Sequence, residues 1–128
     1  MFKVSKKSQY GLRAMVYLAK KDSKDFFSLK DISEKENIPF DFLEKIMSEL
    51  EKMKLVKAKK GILGGYVLAK KPEKITAKDI VSALENTTAV DCSFCGKSKK
   101  CSAKNVWRKI DAAINKTLKS ITLANLIR

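Results

Sequence analysis

The chain of 128 residues has room for one domain with a modest core, and its 45% hydrophobic and 33% charged residues are the balance of a folded globular protein rather than a disordered one. Lys and Arg number 28 against 14 Asp and Glu, with no His; a net charge of +14 points to a polyanionic partner, and the missing His removes the commonest acid–base catalyst. No uncharged apolar run approaches the roughly 18 residues of a membrane span, so an anionic bilayer is not expected to be crossed, and nucleic acid is the favoured polyanion.

Lys3, Lys6 and Lys7 precede an apolar stretch in the manner of a signal peptide, but Arg13 interrupts it and no small-residue cleavage site succeeds it, so a cytoplasmic location is expected. Ser5 or Ser8 is placed to cap a first helix, in which Tyr10, Ala14, Tyr17 and Leu18 recur at helical spacing while Leu12, Met15 and Val16 widen the stripe. This helix is expected to be mostly buried. Ser28-Leu29-Lys30-Asp31 has the pattern of a capping box opening a short helix that ends near Glu36 and is stopped by Asn37-Ile38-Pro39. Asp41-Phe42-Leu43-Glu44 repeats that pattern ahead of a helix with Leu43, Ile46, Met47, Leu50 and Met53 on one face.

Two short helices around a tight turn read as a helix-turn-helix, whose geometry sets the first residues of the second helix, here Asp41, Phe42, Glu44 and Lys45, against base edges in the major groove. Helical hairpins are also ordinary core architecture, so the pair gains meaning from the segment next to it in the chain. Val56 to Lys60 alternates apolar and basic residues, Gly61 to Gly65 supplies a turn, and Tyr66 to Ala69 alternates again, predicting a β-hairpin with Lys57 and Lys59 on one face and Lys60 at the tip. A solvated hairpin with protective edge lysines would share this pattern. Next to the helix pair, it reads as a basic wing that reaches phosphates or a narrow minor groove.

Thr76-Ala77-Lys78-Asp79 is a further capping box, for a helix carrying Ile80, Val81 and Leu84. Beyond it, Cys92, Cys95 and Cys101 hold every thiol of the chain at the spacing C-x2-C-x5-C, with Lys97, Lys99 and Lys100 favouring thiolates. Three clustered cysteines suit a reducing compartment and a ligand loop for an iron–sulfur cluster or zinc, yet they equally suit bare thiols, because no fourth Cys and no His completes a ligand set. Asp91, Glu85, Asp111, a second subunit or a small ligand remain as sources of the fourth donor. Ser102 is placed to cap a last long helix with Val106, Ile110, Ala113, Ile114, Leu118 and Ile121 along one stripe and Trp107 beside it; Thr122 starts a short tail. That stripe suits either an internal core or a two-fold dimer seam, and the helix-turn-helix class favours the dimer.

The order of elements, the segment Gly61-Ile62-Leu63-Gly64-Gly65-Tyr66 and the run Cys95-x5-Cys101-x5-Trp107 together resemble the Rrf-type winged helix-turn-helix regulators, of IscR, NsrR and CymR kind. The resemblance covers nearly the whole chain, including Ser5 to Met15 as first helix, Phe42-Leu43-Glu44-Lys45 as recognition helix and Ile121 to Leu126 as C-terminus. It implies a single mainly α regulator over 1–128, with a winged helix-turn-helix at 1–71 and the cysteine loop and dimerisation helices at 76–128. It also implies a homodimer on an operator duplex, with an iron–sulfur cluster of two-iron or four-iron type on Cys92, Cys95 and Cys101 that senses redox, nitric oxide or iron status and sets the spacing of the two recognition helices. Cys95 and Cys101 match the family's second and third cluster cysteines, while Cys92 stands closer to Cys95 than the first usually does. The family's two sources of a fourth ligand, a His three residues after the last cysteine and an acidic residue on the partner's first helix, correspond here to Lys104 and Gln9. Some relatives carry no cluster and sense through thiols or small molecules.

From a different class, an architectural or RNA-binding basic protein would fit the charge but show no preferred duplex sequence. Catalysis is not expected, since the Gly61 to Gly65 turn lacks the Lys and Ser or Thr of a nucleotide-binding loop.

Overall fold

The computed structural model describes residues 3–21, 25–86 and 102–128. Helix α1 (Lys6–Lys20) starts at Ser5, whose side chain accepts from the Ser8 amide. Ser8 itself is inside the helix and almost fully buried. Helix α2 (Leu29–Glu36) is capped by Ser28, which accepts from the Asp31 amide, and ends at Asn37 in the left-handed conformation, φ 56°.

Helix α3 (Phe40–Lys52) begins one residue ahead of the expected Asp41-Glu44 box, and that box does not form: Pro39, with φ −55°, stands at the cap without a side-chain hydrogen bond. The ring of Pro39 already fixes φ near the helical value, so the helix can start without a side-chain acceptor. Asp41 instead lies within the first turn, where its carboxylate meets the positive end of the helix.

Strands β1 (Val56–Lys59) and β2 (Gly65–Leu68) pair antiparallel, with Val56 opposite Leu68 and Lys59 opposite Gly65. Phe27, in the segment before α2, adds an isolated bridge to the far side of β2: its amide donates to the Tyr66 carbonyl at 2.9 Å and its carbonyl accepts from the Tyr66 amide at 2.7 Å. A 3-10 turn (Pro72–Lys74) then leads to α4 (Ala77–Leu84), which has the full capping box between Thr76 and Asp79.

Helix α5 (Lys104–Lys119) starts after Ala103, and Ser102 makes no cap, contrary to expectation. Helix α6 (Leu123–Leu126) is closed by a second full capping box, Thr122 with Asn125. Far from being a loose tail, this segment returns to the start of α4: the Leu123 amide donates to the Ile75 carbonyl at 2.9 Å and the Ala77 amide to the Ile121 carbonyl at 2.8 Å.

The core lies between α1, α2, α3 and α4 and is filled by Met15, Ile32, Leu43, Ile46, Met47, Leu50 and Ile80, with Leu123 added from α6. Burying each such side chain contributes roughly 1.5–3 kcal/mol. Gly11 lets α1 approach α4 closely, because a Cβ there would overlap the Leu84 side chain. Among the described residues no helix is long and apolar enough to cross a membrane.

Candidate nucleic-acid interface

The first turns of α3 project from the core-packed stripe. Leu43, Ile46 and Met47 point inward and are fully buried, so helical spacing forces Asp41, Phe42, Glu44 and Lys45 outward, and all four are exposed. Phe42 packs edge-on against Tyr10 of α1 with ring centroids 5.5 Å apart, and the Arg13 guanidinium lies 5.8 Å from the same Tyr10 ring. Phe42 therefore anchors the head of α3 to α1 while keeping part of its ring free. A groove of about 470 Å³ runs beside it, lined by Glu44, Lys45 and Lys52 of α3 and by Lys7 of α1, whose ammonium sits 2.7 and 2.6 Å from the two Glu49 carboxylate oxygens.

The hairpin packs against the end of α3. Val56, Tyr66 and Leu68 face the core, which leaves Lys57 and Lys59 on the opposite face, as alternation predicts, and Lys57, Lys59 and Lys60 are all exposed. Lys59 does not extend freely: its ammonium stands 5.7 Å from the Phe26 ring centroid. Burial, then the negative charges of Glu51 and Glu44, push the Tyr66 phenol above its ordinary pKa, so it stays a neutral hydrogen-bond donor at physiological pH.

Several exposed residues of this surface are not legible from spacing. Phe40, 45% exposed, lies in phase with Leu43 and Met47, so periodicity assigns it to the core and only its place at the helix start exposes it. Ile62 and Leu63 at the hairpin tip read in the sequence as turn alone. Their signal is the set of glycines that flanks two large apolar residues.

Helix α5 shows the other surface. None of its residues is buried: Val106 and Ala113 are exposed, and Ile110, Ile114, Leu118 and Ile121, the last just beyond the helix, are half-buried. It packs mainly on α4, to which it is tied by a hydrogen bond from the Lys78 ammonium to the Asn115 side chain.

Cys92, Cys95 and Cys101 lie outside the described residues. Among the described residues no group of His, Cys, Asp or Glu could hold a metal ion. Of the acidic candidates for a fourth donor, Glu85 is already engaged: its carboxylate accepts from the Ser8 hydroxyl at 2.5 Å and the Ser5 amide at 3.4 Å. Gln9 donates to the Val4 carbonyl at 2.9 Å, and Lys104 opens α5.

Residues 4–128 match the family model described as Rrf2, iron-dependent transcriptional regulator. Over 124 residues the chain is 37% identical to the HTH-type transcriptional regulator CymR of Bacillus subtilis, covering 97% of this chain and 88% of that protein. The solved structure of that CymR, described as a global cysteine regulator, superposes with a TM-score of 0.82 at 38% identity over 99% of this chain and 97% of the other. The structure of T. potens IscR superposes with a TM-score of 0.81 at 37% identity, over 98% and 85% of the two chains.

Proposed function

The chain belongs to the Rrf2 family of transcriptional regulators, whose members are regulators rather than enzymes, and from that premise we propose that it works in the cytoplasm as a homodimer that binds an operator duplex and reports a redox or iron-linked signal. The observation that carries this reading is the joint exposure of the α3 head and the wing lysines on a chain of charge +14. In this scheme Lys57, Lys59 and Lys60 take phosphates, and about 0.9 counterions leave per phosphate neutralised, so affinity falls steeply with salt. Lys45 adds to the same attraction from α3.

Glu44 has the opposite role. A carboxylate is repelled by phosphate but accepts a hydrogen bond from cytosine N4, so its place on an otherwise basic surface gives specificity and not affinity. Binding-site selection with Glu44→Ala is expected to return sites in which one C·G position has become degenerate, at a cost of about 1–3 kcal/mol in discrimination there. An unchanged preferred sequence would remove Glu44 from base reading.

Cys92, Cys95 and Cys101 are the sensor in this reading. Three thiolates fit the donor chemistry of an iron–sulfur cluster, and Asp91, Glu85, Asp111, a second subunit or an exogenous ligand would supply the fourth position. A bound cluster would supply a one-electron, oxidant-sensitive and nitric-oxide-sensitive centre. Cys101 is three residues ahead of α5, so a change at the thiols acts on the helix that joins the two copies. A cluster-free thiol sensor is the second reading, favoured by Gln9 and Lys104 at the two positions where the resemblance expects a ligand and by the kinship with CymR. Anaerobically purified protein is expected to absorb in the visible and to contain iron and acid-labile sulfide in stoichiometric amounts, both lost in the triple Cys→Ala variant. A colourless protein that takes up neither after reconstitution selects the thiol reading.

A further inference from the structure

The wing tip carries side chains that neither the core nor the turn requires. Ile62 is 103% exposed and Leu63 84%. They sit between Gly61, at φ +109°, and Gly64, whose amide donates to the Gly61 carbonyl at 3.0 Å. That bond and the flanking glycines make the turn, whose two central positions are ordinarily taken by Pro, Asn, Asp, Ser or Gly. Two branched aliphatic side chains held there in water contribute nothing to the fold, and a local rule broken without gain in stability is the mark of a functional feature.

Position names the partner. The tip continues the strand that carries Lys57 and Lys59 and comes directly after the exposed Lys60. Asp25, Phe26 and Asp31 line a hollow beside the tip together with Lys59, and the exposed Lys57, Lys59 and Lys60 bring three ammonium groups to the same hairpin, where they would hold the phosphates that flank the tip. The loop beyond the Lys59–Gly65 pair narrows to the single turn that carries Ile62 and Leu63, a shape suited to the minor groove, about 6 Å wide, and Leu and Ile are among the residues with which minor-groove binders part a base step.

Resting on the operator-binding reading, we infer that Ile62 and Leu63 form an apolar wedge that enters the minor groove, unstacks one base step and kinks the duplex toward the major groove in which α3 docks. Lysines alone would hold the phosphates without deforming the DNA. The wedge makes affinity depend on how easily the contacted step unstacks, which is specificity at a position where no hydrogen bond is made. Flexible pyrimidine–purine steps such as TA and CA are its preferred targets.

The test uses duplexes recovered by binding-site selection with the unaltered protein, fitted with end dyes for energy transfer and with 2-aminopurine at successive positions beside the α3 half-site. The unaltered protein is expected to bring the duplex ends together and to raise 2-aminopurine emission at one step. Ile62→Ser with Leu63→Ser is expected to lose both signals and about 10-fold in affinity, with an unchanged salt slope because no charge is removed. Lys57→Ala is expected to do the reverse, lowering the slope by about 0.9 and keeping the bend. Both tip residues are exposed, so an unchanged circular dichroism spectrum and melting point certify the fold of the double variant. A double variant with the same bend, emission and affinity overturns the wedge, as does one that binds DNA normally but has a smaller mass in solution, which would give the tip to a protein contact. Failure of the unaltered protein to enrich any duplex would overturn the operator-binding reading itself, and is seen before any variant is made.

Discussion

A double variant with Val106→Glu and Ala113→Glu is expected to sediment as a monomer, keep the melting behaviour of a folded chain and bind its duplex on the order of 100-fold more weakly than the unaltered protein. Both residues are exposed in the single chain, Val106 by 52%, so a carboxylate at either position stays hydrated there and changes stability by no more than about 0.5 kcal/mol. They are seven residues apart and share a face of α5 with Ile110, Ile114 and Leu118. A helix of 16 residues is about 24 Å long, and this one is left with no buried side chain; within the stripe, Ala113, Ile114 and Leu118 line a groove of about 290 Å³ together with Thr117. If a second copy covers that face, two-fold symmetry brings the new carboxylates of both chains into one seam, where burying unpaired charge costs several kcal/mol each. The 100-fold loss is then a matter of geometry, since a monomer reaches one half-site only and forfeits the effective concentration that tethering gives the second. A variant that keeps the dimer mass would place the seam elsewhere, and one that unfolds would show that α5 belongs to the core of its own chain.

The elements legible in the sequence are those fixed by short-range chemistry. Ser28 and Thr76 cap the helices their patterns announce, and the hairpin forms where alternation and glycines place it, because each depends on residues within a few positions of one another. The Asp41-Glu44 box fails for a local reason too: Pro39 begins the helix earlier, which the box pattern does not weigh. What spacing does not reveal is long-range. Ser8 looks like a second cap candidate, and only the arrival of Glu85 from the end of α4 explains why a hydroxyl is buried inside α1. The return of Ile121 and Leu123 to the start of α4 rests on backbone bonds that carry no side-chain signature.

The candidate interface is legible to the same extent. Asp41, Glu44, Lys45, Lys57 and Lys60 are on the surface because they fall between core positions of known period. The turning of Lys59 over Phe26, and the packing of Phe42 on Tyr10, depend on neighbours 33 and 32 residues away in sequence, which no spacing rule reaches.

Gly65→Ala is expected to be the most damaging single substitution on the wing, lowering stability by about 3–5 kcal/mol and the melting temperature by roughly 10 °C or more. Gly65 has φ +143°, a conformation that a side chain strongly disfavours, and a Cβ there would overlap the Phe27 carbonyl. That carbonyl accepts from the Tyr66 amide at 2.7 Å, so moving it away breaks the bridge that fastens β2 to the segment before α2, and with it the partner bond from Phe27 to Tyr66. The two backbone bonds are worth about 1 kcal/mol each and the dihedral strain about 1–3 kcal/mol. The wing then loses its fixed angle to α3, and duplex affinity should fall with it even at temperatures where the helices stay folded. Ile62→Ser with Leu63→Ser, only a few residues away on the same hairpin, leaves the melting point alone. Hydrogen exchange at the Tyr66 amide separates the two cases: rapid exchange in Gly65→Ala with protection kept in the tip variant is the expected pattern, and protection of that amide in Gly65→Ala would mean that the bridge does not hold the wing in place.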